Sequence, residues 1–189
     1  MSPCRVSPPG IRELLASLPD NRWTIVTSCT KPLADVRIRA AGLSAPSRMI
    51  TALDIRRGKP DSEPHLKGAT LLGFAPQDCL VIEDTAAGVR SGKAAGARVV
   101  AVQTTETNDL LIEMGAGWIV KDYSCLSLES NDQPGTLTST SSCRASNRSQ
   151  MSSLARRQAI SSGTCPGRRY SCLYSAMPRS APHLAIGPG

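Results

Sequence analysis

The chain has 189 residues, 22 Lys and Arg against 15 Asp and Glu, a formal net charge of +7 and 3% aromatic residues. That length suits one ordinary α/β domain. No apolar run approaches the ~20 residues needed to span a bilayer, and the first residues lack the apolar core of a signal peptide, so no membrane role is expected and a cytoplasmic protein is.

The charge is not evenly spread. Up to Cys125 there are 15 basic and 13 acidic residues; from Leu126 onward there are 7 Arg, no Lys and 2 acids. Residues 130–189 are dense in Ser, Arg, Pro and Gly and follow neither a helical nor a strand period, so they are read as a disordered tail. An arginine-rich tail can touch nucleic acid, but interleaved aromatics are lacking beyond Tyr170 and Tyr174, and a solvated tail is the better reading. The 7 cysteines are scattered without a Cys-x-x-Cys pair, which indicates neither a zinc site nor a disulfide framework and suggests a reducing compartment.

Residues 1–9 read as irregular. Ile11, Leu14, Leu15 and Leu18 recur at helical spacing, and Pro19-Asp20-Asn21 ends that helix. Trp23 to Thr27 is a short strand-like run. Pro32 opens a second helix, expected to turn Leu33, Val36 and Ala40 inward, with Gly42 at its end. Met49-Ile50-Thr51 can form a short strand. The loop Gly58-Lys59-Pro60-Asp61 leads into a helix through Leu66, Ala69 and Leu72 to Gly73. Cys79 to Ile82 is the clearest strand, followed by a helix from about Thr85 to Ala95, a strand from Arg98 to Val102, a helix around Leu110, Leu111 and Met114, and a strand at Trp118-Ile119-Val120.

Apolar strands without clean alternation, separated by helices of about ten residues, predict an α/β fold with a parallel sheet covered on both faces. Ligands of such sheets sit beyond the carboxyl ends of the strands. That places Thr27 and Ser28 after the first strand, and Glu83 and Asp84 after the strand at 79–82, at the ligand edge.

Glu83 and Asp84 would project together into that crevice, as a hard cation such as Mg²⁺ requires; alternatively Asp84 caps the next helix and Glu83 favours its dipole. Lys59 lies in a loop fixed by proline and glycine, where its ammonium could face a phosphoryl oxygen; most lysines are merely solvated. Thr27 and Ser28 could donate to the same group, or Ser28 or Thr30 could cap the following helix. Cys29 reads as an inert thiol, and His65, behind Pro64 at a helix start, as a surface residue.

Taken in order, Val26-Thr27-Ser28, Gly58-Lys59-Pro60-Asp61-Ser62-Glu63-Pro64, Val81-Ile82-Glu83-Asp84-Thr85-Ala86-Ala87-Gly88-Val89 and Ala94-Ala95-Gly96-Ala97 form a series. It resembles the haloacid dehalogenase superfamily, and more narrowly the branch with 2-deoxyglucose-6-phosphatase, glycerol-1-phosphatase and β-phosphoglucomutase. The resemblance covers about Gly10 to Asp122 and implies a Rossmannoid core over residues 10–122.

It also implies a Mg²⁺-dependent phosphatase of small sugar or polyol phosphates, with Thr27, Ser28 and Lys59 holding the phosphoryl group and Glu83 with Asp84 holding the metal. The family's nucleophile and general acid come from an Asp-x-Asp segment on a first, central strand. No Asp-x-Asp occurs in this sequence. The expectation is therefore an incomplete sheet lacking that strand and the cap, weak or lost Mg²⁺ binding, and no turnover. The alternative is a non-catalytic phosphate-binding or partner-binding protein, or a fragment of a working enzyme.

Overall fold

The computed structural model describes residues 7–104, 106–129, 136–139 and 172–175. Five helices and four strands come in the order α1 (Ile11–Ser17), β1 (Trp23–Ile25), α2 (Lys31–Ala40), α3 (Glu63–Leu72), β2 (Cys79–Glu83), α4 (Ala86–Ala94), β3 (Arg98–Val102), α5 (Asn108–Glu113) and β4 (Trp118–Val120). Three further strands follow: β5 (Leu126–Glu129), β6 (Thr136–Ser139) and β7 (Cys172–Ser175). None of the helices in the described residues is long and apolar enough to cross a membrane.

The main sheet runs β1-β7-β2-β3-β4, and all four of its pairings are parallel. All five residues of β2 are buried, as a central parallel strand demands. Its side chains alternate between two cores. Leu80 and Ile82 join Leu14, Trp23 and Ile38 on one face, while Cys79 and Val81 join Ala69, Val89 and Leu111 on the other. The second face is closed by α4, whose Gly92 backs onto Val81 and Val99 so tightly that an added Cβ would lie 3.0 Å from each.

The place between β1 and β2, left vacant in the sequence reading, is taken by β7. Trp23 pairs with Leu173 on one side and Leu80 pairs with Leu173 on the other. Two facing edges with unpaired N–H and C=O groups are costly in a core, and a strand from the far end of the chain satisfies both. β5 and β6 form a separate antiparallel pair. Residues 136–139 and 172–175 are thus strands inside the segment expected to be disordered; the remainder of 130–189, and residues 1–6, lie outside the described residues.

Other expectations shift locally. In α2 the buried residues are Ala34 and Ile38, while Leu33 and Val36 are 44% and 41% exposed. The large apolar residues mark the wrong face because the sheet accepts a small residue and an isoleucine four positions apart. Ile50 makes a single bridge to Val26 and then a 3₁₀ turn follows, so Met49-Ile50-Thr51 is not a full strand. Thr85, not Asp84, caps α4, accepting from the Gly88 N–H at 3.2 Å. Cys79 and Cys125 each take part in a disulfide, while Cys29 is a free thiol. Disulfides require proximity in space, which scattered spacing does not reveal.

Candidate functional site

β1 and β2 end on the same side of the sheet and deliver Thr27, Ser28, Glu83 and Asp84 to one edge. Thr27 is anchored rather than loose: its N–H donates to the Ile50 carbonyl at 2.9 Å and its hydroxyl accepts from the Cys29 N–H at 3.2 Å. Ser28 beside it is exposed. Asp84 is 3% exposed, and its carbonyl accepts from the Thr104 hydroxyl at 3.5 Å.

The loop carrying Lys59 is braced on both sides. Glu63, at the start of α3, accepts the Arg56 and Arg57 N–H groups at 3.0 and 2.9 Å, and those two bonds hold its carboxyl down at about 2. Asp61 accepts the Glu63 N–H at 2.9 Å. So braced, the loop sends Lys59 over the carboxyl edge, where its ammonium donates to the Val26 carbonyl at 3.0 Å and to Glu83 Oε1 at 2.5 Å. Because β7 lies between the strands that supply those two acceptors, the ammonium sits astride the end of the central strand.

Glu83 is 1% exposed. Burial pushes its carboxyl up, but the Lys59 ammonium and the His65 ring together outweigh burial and leave it below the usual carboxylate range. Its Oε2 faces α4 so closely that a Cβ built on Gly88 would lie 1.9 Å away. The glycine is therefore what allows the first turn of α4 to cover the acid.

His65 is a correction to the sequence reading: it is 1% exposed, not a surface residue. Pro64 and His65 both turn inward from the first turn of α3. The ring's Nδ1 lies 2.8 Å from the Ser91 hydroxyl, and Nε2 lies 3.5 Å from Glu83 Oε1. Burial and then the Lys59 charge push the imidazole pKa down, so the ring is neutral near pH 7. Ser91 in turn donates to the Asp61 carbonyl at 2.5 Å. Sequence reasoning missed His65, Ser91 and Gly88. A usable signal existed in α4, where Gly88, Ser91 and Gly92 stand at i, i+3 and i+4: a face of small residues marks close approach to the sheet.

The structure thus joins Lys59 and Glu83 directly and sets Thr27, Ser28 and Asp84 at the same edge. Among the described residues it does not assemble a metal site. One Glu83 oxygen is taken by an ammonium and the other is covered by α4, and no group of three or more His, Cys, Asp or Glu able to hold an ion occurs among the described residues. Asp84 alone is too few ligands for Mg²⁺, which demands near-octahedral oxygen coordination, so the described residues do not by themselves fit the metal.

A parallel sheet covered on both faces, with a lysine and two acids gathered where its strands end, defines an α/β protein of the class whose ligands sit at the carboxyl edge. The profile of the haloacid dehalogenase-like hydrolases matches residues 6–102, just over half of the chain, and the chain belongs to that family. It is 49% identical over 92 residues to hexitol phosphatase A of Escherichia coli, covering 49% of this chain and 43% of that protein. It is 37% identical over 116 residues to glycerol-1-phosphate phosphohydrolase 2 of Saccharomyces cerevisiae, covering 58% and 46%. Among solved structures, a hydrolase from Pseudomonas syringae superposes with a TM-score of 0.58 at 28% identity, covering 61% of this chain and 57% of that one. The chain spans about half the length of the curated relatives it matches.

Proposed function

We propose that the chain binds the phosphoryl group of a small sugar or polyol phosphate at the carboxyl edge, as the phosphate-holding part of a haloacid dehalogenase-type phosphatase. The Lys59 ammonium carries the reading: it is fixed in a largely buried position between Val26 and Glu83, at the edge where such folds take their ligands. A lysine so held is a preorganised positive charge for a phosphoryl oxygen, and it needs no reorganisation when the anion arrives. Thr27 adds its hydroxyl, and Ser28 its hydroxyl and backbone N–H, on the β1 side. Asp84 stands at the same edge, and Mg²⁺ is expected to bind weakly. With no Asp-x-Asp segment in the sequence to form an aspartyl-phosphate, the expected behaviour is binding without turnover.

Calorimetry of the full chain with a hexitol phosphate and with glycerol 1-phosphate, each with and without Mg²⁺, tests this. Saturable binding, weakened at least tenfold by Lys59→Met and unaccompanied by phosphate release, is the expected result. A folded wild-type chain that binds neither ligand overturns the proposal.

A further inference from the structure

We infer that His65 is a positioning residue of this site, tying the Lys59 loop to α4 so that the ammonium stays aimed at the carboxyl edge. The inference rests on the phosphoryl-site reading above and adds to it the element that holds the lysine in place.

Hydrogen counting gives the ring its orientation. The Ser91 hydroxyl has one proton, and the Asp61 carbonyl 2.5 Å away can only accept, so that proton lies between them. Nδ1 of His65, 2.8 Å from the same hydroxyl oxygen, must then be the donor. Nε2 lies 3.5 Å from Glu83 Oε1, longer than a normal N–H···O bond. The working chain therefore runs from the Nδ1 proton through Ser91 to the Asp61 carbonyl.

That chain connects three elements. His65 belongs to α3, Ser91 to α4, and Asp61 to the loop two residues beyond Lys59. The Asp61 carbonyl is held by α4, the Asp61 carboxylate by the start of α3, and the Lys59 ammonium by β1 and β2. Remove the imidazole proton and the Ser91 hydroxyl is free to rotate away from Asp61, releasing one of the loop's anchors. The flat ring also fills the space beside Glu83, 1% exposed, and keeps water from competing for the Lys59–Glu83 pair.

Two isosteric variants separate these contributions. His65→Phe keeps the ring volume without the donor; His65→Asn places an amide N–H about where Nδ1 was. The full chain, labelled with ¹⁵N-lysine, reports Lys59 through its ammonium signal, which is seen only when the ammonium is held and protected, and which Lys59→Arg assigns. The signal is expected in the wild type and in His65→Asn and lost in His65→Phe. In parallel, the dissociation constant for inorganic phosphate should rise about 3- to 10-fold in His65→Phe, the equivalent of one neutral hydrogen bond, and return to within about 2-fold of wild type in His65→Asn. Should His65→Phe fail to fold, Ser91→Ala removes the same link while keeping the ring, and the same loss of signal is expected. A lysine signal that survives in His65→Phe or Ser91→Ala, or stays absent in a folded His65→Asn, overturns the inference. If the signal follows this pattern but wild type binds no phosphate, the phosphoryl-site reading fails while the positioning role of His65 stands.

Discussion

Gly88→Ala tests the packing of α4 on Glu83. The added Cβ would lie 1.9 Å from Oε2, 2.1 Å from Cδ and 2.6 Å from Oε1 of Glu83, against a normal carbon contact of about 3.5 Å. Either α4 lifts off the sheet or the carboxylate retreats from Lys59, which it meets at 2.5 Å. Overpacking of this kind costs about 1–3 kcal/mol, and complete separation of a buried ion pair about 3–5 kcal/mol. Alanine's better helix propensity returns about 1 kcal/mol. The net expectation, with the carboxylate giving way, is a loss of about 2–4 kcal/mol, read as a lower urea midpoint at pH 7 followed by tryptophan fluorescence. Gly58→Ala, with nothing within 4 Å of the new Cβ, is the neutral control. The decisive comparison repeats Gly88→Ala in a Lys59→Met/Glu83→Ala background, where both charges and the obstructing carboxylate are gone. There the substitution should cost nothing or stabilise slightly. A cost below about 1 kcal/mol in the wild type, or one undiminished in the double background, refutes the reasoning.

Lys59→Met alone should destabilise by about 3–5 kcal/mol at pH 7, because it leaves Glu83 buried without its partner, and Lys59→Met/Glu83→Leu should recover most of that in the same urea assay. Ile38→Ala should cost about 2–5 kcal/mol and Leu33→Ala under about 1 kcal/mol, since Ile38 is 1% exposed and Leu33 44%; equal costs would mean that α2 packs by its other face. The depressed imidazole pKa of His65 means the unfolded chain takes up a proton below about pH 6.5 before the folded chain does, so stability should fall as pH drops through that point, by at most about 1.4 kcal/mol per pH unit from this group. His65→Phe should flatten the urea midpoint between about pH 5 and 6.5. Leu173→Pro removes an N–H from a strand with a partner on each side, and should abolish cooperative unfolding if β7 closes the sheet; an unchanged midpoint would show that it does not.

The alternation of strands and helices was legible because each boundary carries a local signal: Pro32 near the start of α2, Thr85 at the N-cap of α4, Gly73 in the left-handed conformation after α3. The carboxyl edge followed from the parallel sheet, and with it the company kept by Thr27, Ser28, Glu83 and Asp84. What was not legible depends on distance along the chain. Lys59 and Glu83 stand 24 positions apart, and no periodicity announces that their charges meet. His65 looked exposed because proline at a helix start is usually a surface feature, whereas α3 turns that first turn toward Ser91. The phase of α2 was misread because the size of Leu33 and Val36 outweighed the smaller but correctly spaced Ala34. Cys172 to Ser175 offers four residues with no strand signal of its own; their conformation is imposed by the two edges they join.

That last arrangement gives the protein an unusual order of events during its synthesis. Trp23 of β1 waits for Leu173, which emerges roughly 150 residues later; at translation rates of ~5–20 residues per second the delay is roughly 8–30 s. Until then β1 and the β2-β3-β4 portion each present an edge that their eventual neighbour cannot yet cover. Contacts that close so late along the sequence slow folding, since the loop-closure entropy is lost before the ladder returns it. The nascent chain should therefore lean on chaperones until β7 has emerged and become resistant to protease only after that.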